Sequence, residues 1–264
     1  MQPSYQSGFY APGRGVAKHP ELWRGCVGAW NPGLGNTGLS LRDWSGNSNN
    51  GVPSNALMWD TSGGRNTVLC NATNERVLAP NVGSFISGAV GMTASIWVTL
   101  VADTSFDRGF MGTWATQFVF VWWGGGGTVL FASNSPTTQT NTIVGNSFTV
   151  GQIHHIAAVV TPTSQTVYID GVAKGESARS GLIRTGPAQL EVGTYSLRTD
   201  VVETHYNDWR VYNRALSPNE VRTLAQHPGI AYELAPRKTY FIPAATNTSQ
   251  FYDVLSPLIF AGTN

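Results

Sequence analysis

From Leu22 to Gln226 the chain reads as a succession of short strands parted by turn residues, closed by one well-marked helix. That order constrains the fold more than any other feature. Met92 to Val101 places Ile96, Val98 and Leu100 on one face and Trp97 on the other, the period-two pattern of a strand. Gln117 to Trp123 and Thr128 to Ala132 flank a glycine run, Gly124 to Gly127, and predict a hairpin. Gln152 to Val160 and Gln165 to Ile169 predict two more strands, separated by a turn whose Pro162 has no place inside a sheet. Asp170-Gly171 between apolar runs predicts a tight type I′ turn. Leu190 to Gly193 and Asp208 to Tyr212 complete the set. The helix starts at an N-cap, Ser217, with Pro218 in its first position and Glu220 closing a capping box. Val221, Leu224 and Ala225 form its apolar stripe, and His227-Pro228-Gly229 ends it. About ten strands and one short helix predict an all-β, two-sheet sandwich.

Composition excludes several alternatives. Only 12% of the 264 residues are charged, yet the longest apolar run, Phe118 to Trp123, is far short of the roughly 20 residues that span a bilayer. No membrane insertion is expected. With 41% hydrophobic residues the chain has ample material for a core, which excludes disorder. The net charge is +1 and no basic stripe is visible, which excludes a dedicated nucleic-acid binder. The opening MQPSYQSGFY lacks the basic-then-apolar pattern of a secretory signal, so synthesis in the cytoplasm and release by lysis are expected. Cys26 and Cys70 fit no metal spacing; two buried thiols or one disulfide remain open.

The ends differ from the middle. Residues 1–22 are rich in Pro, Gly, Ser and aromatics, without a period, and read as an extended arm. Residues 23–228 are the predicted sandwich. Residues 229–264 are a linker and a tail, and from Thr239 onward the tail carries one charge, Asp253, among apolar clusters. Such a tail must cover its own domain or another chain. The strand Phe118 to Trp123 is apolar on both faces and also demands a second cover. Phe9, Tyr10, Arg14, Lys18, Phe251 and Phe260 are the candidate docking contacts.

Four segments resemble the concanavalin A-like, laminin-G-like domains. Val27-Gly28-Ala29-Trp30, followed by the loop Asp43-Trp44-Ser45-Gly46-Asn47-Ser48-Asn49-Asn50-Gly51, is similar to the family's opening strand and loop. Thr93 to Val98 resembles its central strand. Ile153-His154-His155-Ile156-Ala157-Ala158-Val159 with Val167-Tyr168-Ile169-Asp170-Gly171 resembles its main hairpin, with Ile153 where the family usually has Trp. Asp208 to Ser217 resembles its closing strand and helix entry. The resemblance covers about residues 24 to 226 and implies an antiparallel jelly-roll sandwich with one short C-terminal helix; the extended N- and C-terminal arms lie outside it. Residues 229–237 are similar to the segment C-terminal to such domains in bacteriophage proteins.

Candidate chemistry is sparse. A glycoside hydrolase needs paired carboxylates about 5 to 10 Å apart; Glu191 stands alone on its strand, and Asp200 and Glu203 lie in a loop. His154 and His155 are adjacent on a strand, point to opposite faces and cannot share an ion. The resemblance implies calcium at a sheet rim, with Asp43, Asn47 and Asn49, or Asp200, Glu203 and Asn207, as the oxygen donors; the first set also suits a turn held by side-chain to backbone bonds. No other cofactor is expected. Trp114, Trp122, Trp123 and Tyr195 lie near turns and could stack on sugars, or simply pack.

These observations lead to a non-catalytic structural protein of a bacteriophage particle, most specifically a capsid decoration protein docked through its arms. Its expected partners are capsid or tail proteins, sister copies in a homo-oligomer, and surface glycans. A stand-alone carbohydrate-binding domain is the alternative, and a glycoside hydrolase the third.

Overall fold

The computed structural model describes residues 10–11, 15–34, 40–54, 58–71, 75–102, 108–113, 117–122, 127–146, 148–186, 189–193 and 203–236. Met1–Leu234 form one compact unit and Ala235–Asn264 a second. In chain order the strands are β1 (Tyr10–Ala11), β2 (Gly15–Val16), β3 (Cys26–Trp30), β4 (Val52–Ser54), β5 (Met58–Ser62), β6 (Arg65–Cys70), β7 (Arg76–Ala79), β8 (Met92–Leu100) and β9 (Arg108–Gly112). They continue with β10 (Phe118–Trp122), β11 (Val129–Asn134), β12 (Gln139–Val144), β13 (Ile153–Val160), β14 (Ser164–Ile169), β15 (Val172–Ala178), β16 (Leu190–Gly193) and β17 (Thr204–Tyr212). Two short helices, α1 (Val82–Ile86) and α2 (Pro218–Leu224), and three 3-10 turns at Pro20–Trp23, Pro32–Leu34 and Ile230–Tyr232 join them.

A seven-stranded sheet, β12-β11-β10-β9-β16-β7-β4, packs on an eight-stranded one, β15-β14-β13-β8-β17-β6-β5 with β3 also paired to β17, as an antiparallel jelly-roll sandwich. The interior obeys the alternation of the strands. Met92, Ala94, Ile96, Val98 and Leu100 of β8 enter the inter-sheet core with Ile156, Ala158 and Val160 of β13 and Tyr206, Trp209 and Val211 of β17. Each fully buried Val, Leu, Ile or Met among them contributes about 1.5–3 kcal/mol of transfer free energy. Trp30 and Trp209, paired across β3 and β17, stack at 6.3 Å. Gly28 makes this possible, because a Cβ there would lie 2.1 Å from the Trp30 ring.

The outer face of the eight-stranded sheet is covered as well. Ala157, Val159, Tyr168 and Tyr212 project into a second apolar cluster with Leu22, Trp23, Val221, Leu224, Ile230 and Tyr232. Two-sided burial explains why β8, β13 and β17 read as apolar or uncharged along most of their length. It also corrects the boundary of the predicted arm. Ala17 bridges Leu234, the Lys18 N–H donates to the Glu233 carbonyl (2.8 Å), and Leu22 and Trp23 are buried. Residues 17–22 are therefore part of the sandwich, not an extension of it.

Local expectations hold where local chemistry decides. Asp170 and Gly171 have φ of 51° and 77° and join Ile169 to Val172. The Glu220 N–H donates to Ser217 Oγ (3.3 Å), and the Ser217 N–H donates to Glu220 Oε2 (2.8 Å). Burial pushes the Glu220 carboxyl up, but Arg214 and the cap bonds prevail and hold it at about 2. Phe118 and Phe120 of β10 enter the core, while Val119 and Val121 on its other face are half-buried. Cys26 and Cys70 are buried free thiols, and burial pushes Cys26 up to about 12.

Candidate functional site

The long strand β17 changes partner halfway along. Thr204, His205 and Tyr206 pair with β6, whereas Trp209 to Tyr212 pair with β3. The change falls at a bulge, where the register against β8 shifts between Asn207 and Trp209 and Asp208 is the extra residue. Bulges re-aim side chains and end pairings. Here the bulge opens a gap in the sheet between the end of β3 and the start of β6.

That gap is a cleft of about 340 Å³, lined by Asn31, Leu34, Arg65, Asn66, Asn207 and the Pro228–Gly229 turn, with Gly33 and Gly64. The volume lies within the range of small-molecule sites, about 300–1,000 Å³. Asn207 holds the gap open: its Nδ2 donates to the Asn66 carbonyl (3.0 Å) and its Oδ1 accepts from the Asp208 N–H (2.8 Å). Asn31 Oδ1 accepts from Gly33 N–H (2.7 Å) and sets the adjoining turn. Gly229, at φ 86°, lies so near that a Cβ would sit 3.2 Å from Asn31 Nδ2.

Beneath the cleft is a buried ion pair. Asp208 Oδ1 accepts from Arg210 Nε (3.2 Å), with Nη2 3.1 Å away, and Asp208 Oδ2 accepts from the Gly229 N–H (2.7 Å). The guanidinium lies 5.0 Å from the Trp23 ring centroid and 4.4 Å from that of Tyr232. Burial pushes Arg210 down, but Asp208, together with Tyr232, Tyr212 and Cys26, outweighs it and holds the guanidinium firmly charged. The pair thus ties the bulge to the Pro228–Gly229 wall.

The residues singled out in the sequence do not converge here. Asp43, Asn47 and Asn49 instead lock the free edge of β3. Asp43 Oδ1 accepts from Ala29 N–H (3.0 Å) and Ser45 N–H (2.8 Å), and Oδ2 from Ser45 Oγ (2.8 Å) and Asn49 N–H (2.9 Å). Asn47 and Asn49 turn their amide N–H groups to the Val27 carbonyl. Four donors on the one carboxylate, and amides facing a carbonyl, give these residues the turn-holding role. Among the described residues no group of three or more His, Cys, Asp or Glu could hold a metal ion. Of the other calcium set, Asn207 belongs to the cleft, Glu203 lies 3.8 Å from His205 Nε2, and Asp200 is outside the described residues. Glu191 faces Arg76 at 3.5 Å.

Trp114, Trp123 and Tyr195 are outside the described residues, and Trp122 is described only as the last residue of β10. Phe9, Arg14, Phe251 and Phe260 are likewise outside, and Tyr10 is described only by its backbone in β1. Lys18, another candidate docking contact, pairs with Glu233 of its own unit (2.7 Å). Sequence reading missed Asn31, Arg65, Asn66 and Gly229. The available signal was Asn207-Asp208, two polar residues that interrupt the alternation of a buried strand.

No curated protein matches the sequence. Solved structures of similar fold include the receptor-binding domain of botulinum neurotoxin D (TM-score 0.65, 11% identity, 78% of this chain and 53% of that one). The binding domain of Paraclostridial Mosquitocidal Protein 1 is another (TM-score 0.64, 16% identity, 77% and 52%). The chain thus spans about half the length of these toxin domains. Domain 4 of AbnA, an extracellular arabinanase of Geobacillus stearothermophilus solved with arabinotriose, is matched over 98% of its length and 76% of this chain (TM-score 0.59, 20% identity). The family model of the concanavalin A-like lectin/glucanases superfamily matches residues 71–222, more than half of the chain. With the sandwich above, that match settles kinship: the chain belongs to the concanavalin A-like lectin/glucanase superfamily.

Proposed function

We propose that the chain is a non-catalytic, lectin-like display module. Its cleft binds a glycan, and sequence outside the sandwich attaches it to a larger particle beside sister copies. The lining of the cleft carries the glycan reading. Asn31 and Asn66 offer neutral amide donors and acceptors, the flanking glycines offer accessible backbone, and among the described residues no carboxylate lines the walls. Such groups orient hydroxyls, but they supply neither the acid nor the base of glycoside hydrolysis. The AbnA domain, solved with arabinotriose, lends support as a protein of the same fold with a saccharide ligand.

A glycan array probed with the full chain tests this reading. Binding is expected, and Asn31→Ala or Asn66→Ala is expected to weaken the strongest hits at least about tenfold. NMR shifts that map instead to Trp114, Trp122, Trp123 and Tyr195 would move the site to the aromatic candidates.

The attachment reading rests on the likeness of residues 229–237 to bacteriophage sequence and on the single charge of Thr239–Asn264. It places the protein on a virion surface as a capsid decoration protein, with capsid or tail proteins as partners. Deleting residues 237–264 is expected to turn an oligomer into a folded monomer by light scattering. A full-length chain that is already monomeric would defeat the sister-copy part.

A further inference from the structure

We infer that the cleft selects an acidic saccharide, whose carboxylate is read by the guanidinium of Arg65. This rests on the glycan-binding reading and sharpens it. Gly63 and Gly64, at φ 56° and 74°, turn the β5–β6 hairpin and deliver Arg65 to the first position of β6, opposite Ser62. Arg65 is exposed and lines the cleft. Among the described residues no carboxylate pairs with it, whereas Arg76, Arg210 and Arg214 each face an acid.

The nearby Asp208 does not balance Arg65. It is buried, its charge is matched by Arg210, and both its oxygens accept hydrogen bonds. The unbalanced charge among the lining residues is therefore one guanidinium beside neutral amides. A neutral sugar would use the amides and leave the planar fork of Arg65 in water. A carboxylate fills that fork with two parallel N–H···O bonds. Because Arg65 is exposed, salt should weaken the selectivity.

The test is an array of carboxylated, sulfated and neutral glycans probed at low salt with the full chain and with Arg65→Gln and Arg65→Lys. An exposed hairpin residue tolerates both changes, and an unchanged Tm verifies folding. Carboxylated glycans are expected to dominate. Arg65→Gln, or reduction of the glycan carboxylate to an alcohol, is expected to lower their binding at least about tenfold. Arg65→Lys should fall between, since it keeps the charge without the fork. Equal binding of neutral glycans that is indifferent to Arg65→Gln overturns the selectivity and leaves the glycan reading intact. Preference for sulfated over carboxylated glycans overturns the carboxylate assignment. Binding to no class at all defeats both readings.

Discussion

Replacing Asp208 by alanine is expected to remove about 3–5 kcal/mol of folding stability, a large share of the roughly 5–15 kcal/mol that holds a domain together. The side chain is 3% exposed and Arg210 only 1%. Without the carboxylate, Arg210 keeps its charge inside the second apolar cluster, between Trp23 and Tyr232, with no anion in contact. The Gly229 N–H loses its acceptor at the same time. Urea unfolding of three variants separates these effects. Asp208→Asn keeps an oxygen for Gly229 but removes the charge, and should cost less than alanine. The double variant Asp208→Ala with Arg210→Met should recover most of the loss, since a matched buried pair replaced by apolar volume is often neutral. A loss below about 1 kcal/mol for Asp208→Ala would mean that water reaches Arg210 and that the pair is not what ties the bulge to the cleft wall.

Legibility in the sequence divides along a physical line. The Asp170-Gly171 turn, the Ser217 cap and the alternation of β8 are fixed within a few residues, so local pattern is enough to find them. The polar edge strand β12 and the three-residue β4 have no such pattern; their backbones are strands because of the partners they meet. The segment from Ala17 to Leu22 reads as an arm for the same reason. Its anchors are remote in sequence: Trp23 Nε1 donates to the Ala231 carbonyl (2.9 Å), and the Tyr212 hydroxyl donates to the Leu22 carbonyl (3.0 Å). The cleft is the extreme case. Asn31, Asn66 and Asn207 are ordinary polar residues until β17 changes partner and brings them to one gap. The sequence draws attention to aromatic side chains, whereas the described cleft is built from amides, glycines, one arginine, one leucine and one proline.

Acid should destabilise the fold well before its carboxylates titrate, and His155 is the reason. Its ring is fully buried, with Nε2 2.8 Å from Ser95 Oγ and the Trp97 ring 5.1 Å away, and Nδ1 has no hydrogen-bond partner. A neutral imidazole that donates from Nε2 leaves only a lone pair at Nδ1. A protonated one would bury an N–H without an acceptor. Burial pushes the ring down to about 3; Asp170 opposes the shift and Arg210 adds to it. Between the ordinary value of 6.5 and about 3, the unfolded chain therefore binds a proton that the folded chain refuses. Stability must fall as the pH drops through that window, by up to about 1.4 kcal/mol per pH unit. Asp170 and Glu220, both held below their ordinary values, stay ionised in either state until the pH approaches 4.5, so they add their own loss only below it. Urea unfolding at pH 6.5 and 4.5 should show the natural chain losing about 2 kcal/mol more than His155→Gln, whose other titrating groups are the same. Parallel losses would mean that the folded chain protonates residue 155. The consequence reaches the cleft, because Trp97 pairs with His155 on one side and with Asn207 on the other. Charging the ring strains the row that carries the Asn207 bulge, so the proposed glycan binding and the fold should be lost together in acid.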